Sequence, residues 1–386
     1  MNNNYNGLPV SLAAISLLTF TLNPSQANAH GEDHENSNRA SYPYVSGHID
    51  LSIHADSIID APDEDEEINE VFSHSHADLK LHMNEEVSIN TKVKLEGESS
   101  GHSHQHSSSF HGDKYFEDHE LFVQELTVNY DNDDIALYAG KFNPIVGIDY
   151  HSMPGVYGYQ KVEEYAILER IGAGVGLKVD SKNYGNHRID VSSFFDDTTF
   201  LSDSLINQRG HTSEEDGGIS NTEDFSSYAV SLGAENLQVP AAKVLNGFSY
   251  RVGAATQAKG SGDDSDETRY TAAVGYEVKI TEDVSAKIIT EYADVSHWGG
   301  EEHHDRAYRT AATGLYYKGW NAAVSYTDIG NDAEDDHDDH DGYVAQVSGG
   351  YKFDNGIGVD LGYRNSDEDG DKRDTVGLLV SYSISF

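Results

Sequence analysis

The 386-residue sequence contains no cysteine, which excludes a disulfide framework and any thiolate metal site. Tryptophan (2), methionine (3) and proline (7) are scarce. Basic residues are few as well: 25 Lys and Arg face 67 Asp and Glu, for a formal net charge of -42. Such a chain carries no basic footprint for nucleic acid. After the N-terminal stretch no segment is apolar for long enough to cross a bilayer as a helix, which takes about 20 residues. Catalytic signatures are missing too: there is no G-x-S-x-G, no H-E-x-x-H and no phosphate-binding glycine loop ahead of a helix, so the sequence does not read as an enzyme. Two calcium candidates also fail. Asn365-x-Asp367-x-Asp369-Gly370 and His337-x-Asp339-x-Asp341-Gly342 begin like EF-hand loops but reach Val376 and Ser348 where a bidentate Glu is required.

Glycine (36) and tyrosine (24) are abundant, and the apolar residues alternate. In the closing stretch GLLVSYSISF, Leu378, Val380, Tyr382, Ile384 and Phe386 share one face, and Ser381, Ser383 and Ser385 share the other. The same period runs through Val45 to Ile53, Val87 to Leu95, Phe122 to Tyr130, Ile171 to Val179, Phe248 to Ala254, Tyr270 to Val278, Trp320 to Tyr326, Tyr343 to Tyr351 and Ile357 to Tyr363. With weaker segments near 72–83, 134–142, 187–196, 226–237, 284–296 and 307–318, the pattern predicts about 16 strands. Negative mean hydropathy is no obstacle, because in a transmembrane barrel only every second strand residue meets lipid.

The connections alternate in length. Asn84-Glu85-Glu86, Asp131-Asn132-Asp133, Thr281-Glu282-Asp283, Lys318-Gly319 and Asp354-Asn355-Gly356 read as tight turns. Between them lie long polar connections around 56–70, 97–118, 143–169, 197–225, 258–267, 297–306, 329–342 and 365–374. Short periplasmic turns and long extracellular loops are the pattern of an outer-membrane barrel. The fold class expected is therefore all-β: a transmembrane antiparallel up-and-down β-barrel over 44–386 in the bacterial outer membrane. Closure leaves no unpaired edge in hydrocarbon, whereas a long apolar edge strand on a secreted sandwich would invite aggregation. Residues 1–29 read as a signal peptide, with an apolar stretch from Leu8 to Leu22 and the small-x-small site Ala27-Asn28-Ala29. No Lys or Arg precedes that stretch, and the competing reading is a membrane anchor. Residues 30–43 form a polar tail, whose His30 would carry a copper-chelating α-amino group after cleavage.

The stretch Tyr138-Ala139-Gly140-Lys141-Phe142-Asn143-Pro144-Ile145-Val146-Gly147, followed by Leu168-Glu169-Arg170-Ile171-Gly172-Ala173-Gly174-Val175-Gly176-Leu177, resembles the phosphate-selective-porin-like channels and the related plug-less siderophore porins. The detailed likeness covers about 40 residues, by count of the two stretches and their surroundings. It implies a 16-stranded, trimeric passive channel in which loop 143–169 folds inward to narrow the pore. Phosphate selectivity is not implied, since it needs a basic ladder and the loops here are acidic.

Strand phase assigns Lys80, Lys92, Lys94, Lys178, Arg188, Arg251, Arg269, Lys287 and Arg364 to the lumen, with Asp78, Glu96, Asp190, Glu277, Glu291 and Asp360. Most negative charge falls instead in loops such as DAPDEDEE (60–67), NDAEDDHDDHDG (331–342) and NSDEDGD (365–371). Such loops are either a solvated surface tied to lipopolysaccharide by divalent cations or acidic mouths that concentrate cations.

The 20 histidines are clustered. His74, His76 and Asp78 share a strand face, with His82 further along, at a spacing from which two imidazoles reach one zinc ion; the competing reading is water-facing polar side chains. His102, His104, His106 and His111 form a flexible run, and His303, His304, His337 and His340 add candidates for zinc, copper or nickel, with adventitious calcium expected at the aspartate-rich loops. No cofactor is required. The expected function is an outer-membrane porin-like channel for passive diffusion of small hydrophilic solutes or ions. The alternative is a receptor or channel for divalent metal, or a metal chelate, using the His/Asp-rich loops. Expected partners are outer-membrane lipid, lipopolysaccharide and the barrel-assembly machinery through the C-terminal strand.

Overall fold

The computed structural model describes residues 41–386 apart from 98–111, 118, 182–183, 208, 241, 334–340 and 369. The signal segment, most of the polar tail, His102, His104, His106, His111, His337 and His340 lie outside the described residues. Sixteen long strands form the wall: β1 (Tyr44–Asp60), β2 (Asn69–His82), β3 (Val87–Gly97), β4 (His119–Asp131), β5 (Ile135–Phe142), β6 (Arg170–Ser181), β7 (Gly185–Asp196), β8 (Ser227–Ala234), β9 (Phe248–Gln257), β10 (Glu267–Lys279), β11 (Val284–Ser296), β12 (His304–Tyr317), β13 (Trp320–Ala333), β14 (Gly342–Lys352), β15 (Ile357–Glu368) and β16 (Asp371–Ser385). Each pairs antiparallel with the next, and β16 returns to β1 in the register His48 to Ser385, Leu51 to Tyr382 and Ile53 to Val380. The sheet is thus closed, as the alternation predicts.

Alternation decides which side chains meet lipid. Leu51, Ile53, Val191, Val230, Val252, Val274, Ile288, Val324, Val347, Leu361, Leu378 and Val380 are exposed on the outer face, while the serines of β16 turn inward. Aromatic rings band both ends of this apolar surface. Trp320, Tyr351 and Phe353 stack edge to face near the short turns, and Tyr326 stacks on Tyr343 near the long loops. From Tyr343 to Tyr351 is about 27 Å of strand, or about 20 Å along the axis at a tilt of ~40°, which suits a hydrocarbon band of about 25 Å.

The wall departs from the sequence reading in three places. The expected long loop 365–374 is a tight turn at Gly370, because β15 and β16 stay paired out to Glu368 and Asp371. The turn from Glu235 to Gly247 is longer than its neighbours at that end. Its Leu237 and Val239 pack on Ala234, Phe248 and Tyr250, so the chain folds back on the outer surface instead of reversing at once. In the 97–118 connection, Lys114–Tyr115 adds a short strand parallel to Glu70 and Val71, a pairing no local period announces.

A single charge on each face tests the assignment. Val324→Arg should lower unfolding stability by about 2–4 kcal/mol, since it places a guanidinium in the hydrocarbon band. Asn90→Arg on the lumen side should cost less than about 1 kcal/mol. Urea titration of the protein in phospholipid vesicles measures both.

Candidate functional site: the inserted segment and its vestibule

Strand β5 has only 8 residues, because Asn143 and Pro144 take the chain out of the wall; proline has no N–H to offer a ladder. The segment that follows runs into the lumen. The Val146 carbonyl accepts from the Thr271 hydroxyl (2.9 Å), and Ile148 N–H donates to Glu291 Oε1 (2.9 Å). The Tyr165 hydroxyl donates to the other oxygen of Glu291 (2.7 Å). Lys287 donates to the Ser152 carbonyl (2.6 Å), and Arg364 to Gln160 Oε1 (2.8 Å). Lys94 on β3 pairs with Glu163 at 3.2 Å. On the opposite side Tyr157 reaches the seam of the barrel. A Cβ at Gly377 would lie 1.9 Å from the Tyr157 hydroxyl and 2.4 Å from Asp56 Oδ1, so only glycine fits there.

The segment chooses its resting wall by polarity. Tyr150, Met153, Val162 and Tyr165 pack on Ile289, Ala293, Val295, Tyr308, Ala312, Ile329 and Val344, the apolar part of the lumen face of β11 to β14, beside the polar anchors Lys287, Glu291 and Arg306. The short helix α1 (Gln160–Glu164) turns its other edge to charge. Burial by itself raises the Glu164 carboxyl, but the Lys161 ammonium, the Tyr308 hydroxyl and Arg306 outweigh it and hold the group below the usual carboxylate range. A lowered folded-state value stabilises above the unfolded value and is lost only as pH falls through the lowered one, so this anchor persists in mild acid.

At the neck of the segment the two stretches quoted above meet. Phe142 pairs with Arg170, and the fully buried Lys141 ammonium lies 2.8 Å from both Glu169 and Asp197. Arg209 grips Glu169 with two hydrogen bonds of 2.6 and 2.8 Å. Desolvation would raise the Glu169 carboxyl, yet Arg209 and Lys141 bring it below the ordinary range. Gly140 holds φ at +134° beside the Leu126 carbonyl, where any Cβ would clash.

Above the segment opens a vestibule of about 510 Å³. Glu163, Glu164, Glu169, Asp196, Asp197 and Glu267 line it against Arg170, Arg209 and Arg269, with Trp298 at its side. Each carboxylate has a cationic partner, Glu163 in Lys94, Glu164 in Lys161 and Arg306, Glu169 and Asp197 in Lys141, Asp196 in Arg170 and Glu267 in Arg269, so the chamber is polar and charge-compensated.

All fifteen residues assigned to the lumen by phase lie on the inner side of their strands, but not all line open space. Lys94, Asp190, Arg269, Glu291 and Arg364 are buried: Asp190 is held by Arg188, and the others bind the inserted segment. Lys287 likewise reaches the Ser152 carbonyl. Lys178 is drawn to Asp131, Arg251 pairs with Glu235 (3.1 Å), and Glu96 joins Lys94 (3.1 Å). Asp360 accepts from Asn321, while Asp78 and Lys92 pair loosely at 3.5 Å. Lys80 and Glu277 complete the set on the inner face towards the short turns.

The expected wall site of His74, His76 and Asp78 does not assemble. His74 Nδ1 lies 2.9 Å from Glu96, His82 bonds Ser46 and stacks on Tyr44, and His76 alone approaches Asp78. Near the loops His304 bonds Glu301 and Asn331, and His303 stands apart beside Glu302. Among the described residues no three His, Asp or Glu side chains converge as a metal site. Shared face is necessary for a site, and each ring here has found a nearer partner. What the sequence reading missed is the aromatic content of the segment itself: Tyr150, Tyr157, Tyr159 and Tyr165 stand among residues that resemble no solvated loop, and that contrast was the available signal.

No protein-family model matches the sequence, and no curated protein matches it. Solved structures do match in fold. The outer membrane channel DcaP of Acinetobacter baumannii shares 13% identity at a TM-score of 0.55, over 88% of this chain and 97% of that one. OprB of Pseudomonas putida shares 10% at 0.60, over 88% and 94%. The trimer form of OmpT, an outer membrane protein of Vibrio cholerae, shares 12% at 0.50, over 89% and 100%. At such identities the likeness is one of fold: the chain is a closed 16-stranded antiparallel β-barrel, the architecture of these outer-membrane proteins.

Glu291 is the keystone to remove. Glu291→Ala strips acceptors from Ile148 N–H and Tyr165 O–H and should cost about 1–3 kcal/mol for each group left unsatisfied. The expected readout is a lower heat-modification temperature with faster protease cutting inside 143–169, while Tyr165→Phe gives a smaller effect of the same sign.

Proposed function

We propose that the protein is a passive channel for small hydrophilic solutes or ions, narrowed by segment 143–169 and biased towards cations by its acidic long loops. The observation that supports this best is the segment itself: a strand-length piece of chain is withdrawn from the wall and pinned across a polar lumen, which sets bore without any moving part. Nothing in the described lumen resembles a separately folded plug, so passage needs no energised partner in this reading. Fixed carboxylates at an entrance raise the local cation concentration and slow anions.

The closer kinship with phosphate-selective-porin-like and plug-less siderophore porins draws support from the neck, where Lys141 meets Glu169 and Phe142 meets Arg170. In the same reading the protein works as a trimer. Lipid and lipopolysaccharide surround its apolar band, and the assembly machinery reads its last strand.

Planar-bilayer recording under a KCl gradient tests the reading. Steady ohmic conductance with a reversal potential on the cation side is expected. Glu214→Gln with Glu215→Gln and Asp264→Asn, exposed acids of the long connections 197–225 and 258–267, should reduce the cation-to-anion ratio by roughly two-fold at low salt, and less where a Debye length of about 3 Å screens them near 1 M. Absence of conductance in the folded barrel would sink the proposal.

A further inference from the structure

One histidine of the wall has only one of its two ring nitrogens engaged among the described residues. His76 on β2 turns Nε2 towards Asp50 and Asp78, at 3.3 and 3.4 Å. Those carboxylates place its proton on Nε2 and leave a lone pair on Nδ1. That Nδ1 is buried and finds no hydrogen-bond partner among the described residues. A buried acceptor without a donor calls for an explanation, such as an unoccupied ion position.

The neighbouring ring comes from the inserted segment. His151 stacks on Tyr150 and is oriented by Asp149, whose Oδ1 lies 3.0 Å from its Nδ1. A carboxylate on one imidazole nitrogen fixes the tautomer and makes the other nitrogen a better metal ligand. The His76 and His151 ring centroids are 5.4 Å apart, with planes inclined at 60°. Two imidazoles bound to one zinc ion, at Zn–N distances of about 2.0–2.1 Å and a tetrahedral angle, have centroids about 5 Å apart. His151 and Asp149 are 28% and 68% exposed while His76 is 12% exposed, so an ion would reach the pair from the His151 side.

We propose that His76 and His151 form a two-imidazole clamp for a divalent transition-metal ion, zinc(II) or copper(II), which bridges the barrel wall and the inserted segment. Water fills the remaining coordination positions. Asp50, Asp78 and Asp149 supply the field that draws a cation in, against the one ammonium of Lys92 beside Asp78. The site differs from the wall triad suggested by strand spacing. It keeps His76 but takes its second ligand from a residue 75 positions away, and His74 plays no part. Binding stands on this geometry alone; its effect on conduction rests on the channel reading above.

The test uses the refolded full-length barrel, with copper(II) as the spectroscopic probe and zinc(II) as the blocker. Electron paramagnetic resonance of wild type with one equivalent of copper should show coupling to two imidazole nitrogens, lost in His76→Gln and in His151→Gln but kept when His102, His104 and His106 are all replaced by glutamine. Zinc should lower wild-type conductance reversibly, a chelator should restore it, and each single variant should need about tenfold more zinc or greater. Heat-modified migration confirms that the variants fold, and glutamine keeps a donor for the orienting carboxylates. A wild-type copper spectrum unchanged by either substitution overturns the clamp. Loss of the two-nitrogen signal in both variants upholds it even if the barrel proves not to conduct, in which case the channel reading alone fails.

Discussion

In hydrocarbon a backbone N–H or C=O without a partner costs several kcal/mol, and every large feature of this molecule answers to that constraint. It forces β16 onto β1, and it makes the early end of β5 expensive. When the chain turns inward at Asn143, the upper half of β4 loses its neighbour. The connection after β7 repairs the opening: Leu205 N–H donates to the Leu121 carbonyl, Asn207 to that of His119, and Lys141 to that of Leu201. The inserted segment and the patch over its exit are therefore one structural decision.

Within the closed wall, polarity is divided by sector. The face of β11 to β14 offers tyrosine, alanine, valine and threonine, and the segment lays its apolar side there. The β1 to β3 face offers histidine, aspartate, glutamate and lysine, and the segment meets it through single charged contacts such as Lys94 with Glu163. The first side grips by area together with the anchors Glu291, Lys287 and Arg306, and the second by a few ionic points.

Much of the wall was legible in the sequence because a strand writes its burial with period two, and Leu378, Val380 and Tyr382 fell on the lipid face as read. Loop 365–374 was misjudged because Asp367 and Asp371 look like solvated loop residues, while cross-strand pairing decides where a hairpin turns. The inward path of 143–169 came from resemblance; what holds it there was not readable. Glu291, Arg364 and Gly377 meet the segment across more than a hundred residues of chain, and a pattern confined to neighbours carries no record of such partners. His74 and His76 share a face as read, but strand spacing cannot show that Glu96 claims His74 first.

Tyr157 seats between Asp56 on the first strand and Gly377 on the last. Its berth therefore exists only after the two ends of the chain have met. The contacts of highest sequence separation form slowly, because the entropy of closing so long a loop comes before any gain. Closure of the seam is therefore the condition for the segment's seat at Tyr157, and the join between the two ends of the chain helps to fix how the segment crosses the lumen.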